Sequence, residues 1–235
     1  MSIEDNRNYE PGEKLTGLYN RFGFLGILEG GFYSTGNNSL EILFPENCDY
    51  TQFQNKSLTV FFWIAFSKQP NNVMRYIFKK GNLSNEMTPC IGLLPNNTNL
   101  FIKIITSNQK IETIISNKKI EQGKIYSICL TINSEIEESM TEMSLYIDGY
   151  LDSQISLPGT PLHNYGNFFL GKYDNSVHGF VGTISEVMLL PSLLDEVEVE
   201  EINNRCLEEF INSNGYYFNT ANILEEKLQR KLLME

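Results

Sequence analysis

The sequence predicts an all-β protein, two antiparallel sheets packed as a sandwich, with helices at the C-terminal end. Three observations predict it. From about residue 39 to 190, short β-branched and aromatic runs recur roughly every 8–12 residues between turn residues, the pattern of a sandwich or barrel. After residue 191 the hydrophobic period changes from that of a strand to that of a helix. The strand–helix alternation that builds a parallel α/β sheet does not occur. At 235 residues the chain can bury a full core and still be one all-β domain.

The elements follow in order. Residues 1–14 are polar and without period, and read as an arm. The sandwich is expected over 15–191. Leu40 to Phe44 alternates and stops at Pro45-Glu46-Asn47. Leu58 to Phe66 (LTVFFWIAF) is apolar on both faces, as a central strand is. Val73–Phe78 and Cys90–Leu94 follow, and Leu100–Ile105 and Ile111–Ile115 flank Ser107-Asn108 as a hairpin. The pairs Lys79-Lys80 and Lys118-Lys119 read as solvated turns. Ile125 to Ile132 places Tyr126, Ile128, Leu130 and Ile132 on one face. Met143, Leu145 and Ile147 point inward, and Asp148-Gly149 signals a type I′ turn because both positions tolerate positive φ. Phe168–Leu170 and Phe180–Leu190 close the sheets. Residues 192–235 form a helical tail. Ser192-x-x-Asp195 reads as a capping box, with Val199, Ile202, Cys206 and Phe210 at helical spacing. Asn222-x-x-Glu225 opens a second helix with Leu224, Leu228 and Leu232 on one stripe.

Composition narrows the function. A net charge of −11 and a pI near 4.8 oppose nucleic acid or an anionic membrane as the main partner. No run approaches the roughly 18 apolar residues of a membrane span, so no membrane insertion is expected. The opening MSIEDNRNYEPGEK has no apolar h-region, so the expectation is an intracellular, cytoplasmic protein that is not secreted. In that compartment Cys48, Cys90, Cys129 and Cys206, with no C-x-x-C pair among them, are expected as free thiols.

Three segments in order resemble a known superfamily. Ser57-Leu-Thr-Val-Phe-Phe-Trp63-Ile is similar to one of its strands. Gly123 to Thr131, followed by Leu145-Tyr-Ile-Asp-Gly149, is similar to a second pair. Phe169-Leu-Gly171 with Gly179-Phe-Val-Gly-Thr-Ile-Ser-Glu-Val187 and a helix start near Leu194 is similar to its closing segment. Together they resemble the concanavalin A-like, laminin G-like superfamily, over roughly residues 39–202. The resemblance implies a jelly-roll sandwich. Two departures, Ser185 where the family carries Asp and no Trp near Tyr126, weaken the inference of a family ligand site.

Glycosidases of this fold use paired carboxylates on one strand. The nearest match, Glu196-x-Glu198-x-Glu200-Glu201, follows a cap and reads as a solvated helix face. His163 and His178 have no ligand spacing, and no nucleophile elbow or phosphate loop is present. No catalytic residue, resident metal or cofactor is expected. A calcium-dependent lectin would draw on Asp174-Asn175, with Asp148 or Asp152, but the preferred reading of Asp174-Asn175 is an Asx turn and of Asp148 a hairpin turn. Tyr165 and Tyr173 lie in loop-like sequence and are the candidates for stacking on a sugar, whereas Trp63 reads as core.

The leading expectation is a non-enzymatic protein-interaction subunit of a larger intracellular assembly, with a cytoskeletal or ciliary one favoured. Its partners would be other protein subunits, docked through Leu224, Leu228 and Leu232. The alternative is a carbohydrate-binding lectin, and the third reading a glycoside hydrolase.

Overall fold

The computed structural model describes residues 25–42, 57–68, 72–83, 85–134, 140–164, 166–174, 176–190 and 193–212. Among these residues thirteen strands and one helix run in chain order: β1 (Leu25–Thr35), β2 (Ser39–Ile42), β3 (Leu58–Phe66), β4 (Arg75–Lys80), β5 (Cys90–Leu93), β6 (Asn99–Ile105), β7 (Ile111–Lys119), β8 (Ile125–Asn133), β9 (Met140–Ile147), β10 (Tyr150–Pro158), β11 (Phe168–Gly171), β12 (His178–Gly179), β13 (Val181–Leu190) and α1 (Glu196–Asn212). They form two packed sheets. Sheet A has the order β1-β13-β3-β8-β9-β10, and sheet B the order β2-β11-β4-β5-β6-β7, with the short β12 parallel to β4. Every other neighbouring pair is antiparallel. The predicted all-β jelly-roll sandwich is the fold.

Strand alternation decides what each face buries. In β3, Val60, Phe62, Ile64 and Phe66 enter the layer between the sheets, where Ile128, Leu130, Leu145, Ile147 and Ile184 of sheet A meet Ile77, Phe78, Ile91, Ile102, Phe168 and Leu170 of sheet B. Phe61 and Trp63 point the other way. With Ile125, Cys129, Tyr146 and Met188 they form a second apolar layer under Leu194, Val199 and Ile202. This is why LTVFFWIAF is apolar on both faces. Trp63 is buried as expected, but beneath the helix and not between the sheets.

Local chemistry fixes the helix there. Asp195 and Glu198 cap reciprocally: the Glu198 amide donates to Asp195 Oδ1 at 2.8 Å and the Asp195 amide to Glu198 Oε2 at 3.0 Å. The box therefore runs from Asp195 to Glu198, one turn later than Ser192-x-x-Asp195. The overlapping S-x-x-D-x-x-E spelling offers both registers, and only the second has its acid at the helix N3 position. Ser127 Oγ donates to Asn203 Oδ1 at 2.6 Å, a buried link between β8 and the helix. The Leu194 amide donates to Thr59 Oγ1 at 3.2 Å.

Asp148 and Gly149 take φ of 57° and 85°, as the type I′ turn requires. Three strands went unread in the sequence, the two-residue β12 among them. In β1 a glycine pair interrupts the pattern, and β10 is an edge strand whose residues are mostly half-buried or exposed. Leu224, Leu228 and Leu232, with the predicted second helix, lie outside the described residues, as does the 1–14 arm.

Candidate functional site

Helix α1 packs on the outer face of sheet A, and among the described residues no helix packs on the outer face of sheet B. Its side chains follow from register. One cross-strand row on that face reads Glu41–Phe169–Lys79–Cys90–Lys103–Thr113. Beside it runs Tyr76–Gly92–Phe101–Ile115. The rows share a face because Ile77 is an extra residue in β4, where the register shifts between Tyr76 and Phe78. Ile77 and Phe78 both turn inward, and Tyr76 and Lys79 both turn outward.

The lysine pair corrects the sequence reading. Lys79 and Lys80 are not in a solvated turn but in β4, 1% and 3% exposed. Lys79 Nζ donates to the carbonyls of Gly81 (2.7 Å) and Leu83 (2.8 Å), and lies 4.5 Å from the Tyr173 ring centroid. Its ammonium thus ties down the turn after β4 and sits under an aromatic ring. Burial holds its pKa below the ordinary lysine value. Lys80 turns inward, over the Phe168 ring, and Nζ donates to the backbone carbonyl of Asn164. Burial pulls its pKa down to about 8. Lys118 and Lys119 are exposed as expected, although on strand β7.

The rings form one connected group. Tyr76 meets Tyr173 edge-on at 5.0 Å and Phe101 edge-on at 5.7 Å. Burial raises both phenol pKa values. Phe101 lies across Gly92, where an added β-carbon would sit 2.6 Å from the Phe101 ring and 2.5 Å from the Arg75 carbonyl oxygen. Lys103 Nζ stands 5.1 Å from the Phe101 centroid. Cys90, at the floor of the group, is a buried free thiol whose pKa burial pushes up to about 12, so it is held in the unreactive thiol form. Tyr76, Lys103, Phe169 and Tyr173 remain half-buried, reachable from outside.

Of the sequence-stated candidates, Tyr173 joins this group. Asp174 follows it, but its Oδ1 accepts from the amide and hydroxyl of Ser176, both at 2.7 Å, as an Asx turn does. These bonds hold its carboxyl below the usual range. Tyr165 and Asn175 lie outside the described residues. Asp148 and Asp152 are not gathered with Asp174 into a calcium site. Asp148 accepts from the Ser127 amide and Lys118 Nζ, and Asp152 from the amides of Asn117 and Lys118. Among the described residues no three His, Cys, Asp or Glu side chains meet as metal ligands. Glu196, Glu200 and Glu201 are exposed on α1, across the sandwich from the ring group, and Glu198 is occupied in the cap. Tyr76, Phe101, Phe169, Lys79 and Lys103 were not anticipated. The outward alternation of Phe101 and Lys103 was readable in β6, but the bulge at Ile77 hid the partner positions in β4.

A two-sheet jelly roll with one face closed by a helix and the other carrying aromatic and lysine side chains has the architecture of a lectin-type domain. The chain belongs to the concanavalin A-like lectin/glucanases superfamily, whose family model matches residues 37–200. Among solved structures, the binding domain of Paraclostridial Mosquitocidal Protein 1 is similar, with a TM-score of 0.58 and 20% identity over 75% of this chain and 43% of that one. The receptor binding domain of botulinum neurotoxin C/D mosaic serotype matches with a TM-score of 0.59 and 16% identity, over 76% of this chain and 43% of that one. The binding domain of botulinum neurotoxin DC, in complex with rat synaptotagmin II, matches at 0.56 and 17%, over 74% and 42%. The chain therefore spans less than half the length of each of these structures. No curated protein matches the sequence.

Proposed function

We propose that this chain is a non-catalytic binding module, and that its ligand is a saccharide lying on the outer face of sheet B. The observation that carries the reading is the set of half-buried rings Tyr76, Tyr173 and Phe169 on the same face of sheet B as Lys103, a broad face that no helix covers among the described residues. Flat rings offer a platform for the C–H face of a sugar, and the Lys103 ammonium supplies a donor beside it. The carboxylates weighed for glycosidase chemistry stand on the opposite side, on α1. Solved structures of similar fold described as binding or receptor-binding domains support the module reading. The test is a glycan array probed with wild type and Tyr173→Ala. We expect retention of a defined glycan class and about a tenfold loss in the variant with its melting transition kept. Unchanged binding in Tyr173→Ala would move the site elsewhere.

A protein partner on the same face is the second reading. Ile111 and Ile115 of β7 extend the platform and are 55% and 49% exposed, apolar surface that a sugar does not need. In that case the module would serve the intracellular assembly expected from the sequence.

A further inference from the structure

We infer that the saccharide taken by sheet B is acidic, and that Lys103 is the residue that reads its carboxylate. The inference rests on the proposed binding face and deepens it. Lys103 stands in the middle of the outer face, between Cys90 and Thr113, with its ammonium beside the Phe101 ring. Among the described residues its ammonium has no hydrogen-bond or ion-pair partner, whereas Lys79 is spent on two carbonyls. The carboxylate in the same row is Glu41, on β2. Four strand spacings separate it from Lys103, roughly 19 Å, well beyond the screening length in physiological salt. Glu41 is moreover engaged by Asn167 Nδ2 at 2.8 Å. Glu112, next to Thr113, alternates to the other side of β7.

A chain with net charge −11 thus keeps one lysine without an ion-pair partner and several rings together where a ligand would lie. An uncompensated cation in a partly dry aromatic setting favours an anion over a neutral group. Geometry favours a sugar ring over an acidic peptide. The backbone groups of β4, β5 and β6 are consumed by their ladders on both sides, so a peptide laid across the face would find no main-chain partners. A pyranose needs only a stacking surface and a few polar contacts at its rim.

The experiment uses the full chain on an array pairing carboxylated glycans, including uronate oligosaccharides, with their methyl esters, and a hexaglutamate peptide alongside. We expect the wild type to retain acids over esters, with the preference falling as salt rises. Lys103→Met should lose that preference by about tenfold, and Lys103→Arg should keep most of it. A wild type that treats acid and ester alike, or a Lys103→Met variant that still prefers acids, overturns the inference. If Tyr173→Ala still weakens binding in either case, the face reading survives. Hexaglutamate held more tightly than every acidic glycan would also overturn the inference, in favour of a peptide partner.

Discussion

At the end of β4, Lys80 places an ammonium group against the Phe168 ring, hydrogen-bonded to Asn164 and shielded from water. Its folded pKa of about 8 lies below the unfolded value of 10.5, so between those two pH values the unfolded chain holds a proton that the folded chain has released. Stability from this group therefore rises with pH across that window, by up to roughly 3 kcal/mol. Cys90 acts in the opposite sense. Its folded thiol keeps the proton until about pH 12, while the unfolded thiol gives it up near pH 9, so stability from that group falls above that point. The two effects separate in the difference between wild type and Lys80→Met. Denaturant melts from pH 7 to 10.5 should show the wild type gaining on the variant, and a flat difference would mean that the ammonium is hydrated. Gly92 makes a second prediction at this scale. Because a β-carbon there would meet the Arg75 carbonyl oxygen, which cannot swing away, Gly92→Ala should cost about 1–3 kcal/mol and displace the Phe101 ring. A melting curve and the glycan array read both consequences.

Helix α1 is the element on which the outer layer of sheet A depends. Asp195→Ala removes half of a reciprocal cap and should cost about 1 kcal/mol. Asn203→Leu leaves the buried Ser127 hydroxyl without the oxygen it now donates to, at about 1–3 kcal/mol. Ser127→Ala in the same chain should recover part of that loss, as a double-mutant cycle would show. Trp63, the single tryptophan of the chain, packs with Val199 and Ile202 and reports on the helix directly. Val199→Asp should shift its fluorescence to longer wavelength while the far-ultraviolet signature of the strands persists. An unchanged emission would mean that the helix does not shield the indole. β3 and β8 were legible to within a residue because their long apolar runs fill both the layer between the sheets and the layer under α1, whereas β9 was read from Met143 and begins three residues earlier, at Met140. β4 was legible only in outline, since a bulge shifts the period midway and the sequence alone does not place the extra residue. β10 gave little signal because an edge strand with much of its surface in water has no need of an apolar stripe.

For the whole molecule, the fold was readable because three separate segments had to sit in one order to complete two sheets. The proposed binding face was not, because it is assembled by lateral register: Phe169, Lys79, Cys90 and Lys103 come from four strands lying between positions 79 and 169 of the sequence. Tyr173 was found as a loop aromatic, whereas its neighbour Tyr76 looked like one more strand residue. The pairing of β1 with β13 has a mechanical consequence. Leu25 lies opposite Leu189 and Thr35 opposite Val181, so the start of one strand and the end of the other emerge at the same end of the ribbon. Tension applied through those two points opens the ladder one rung at a time, as a zipper, and never loads all its hydrogen bonds together in shear. A tether attached at Thr35 and Leu189 would instead pull along the ladder. Optical-tweezer ramps should find rupture at lower force in the first geometry than in the second. Held between two anchors at those points, the domain would yield early and act as a compliant link.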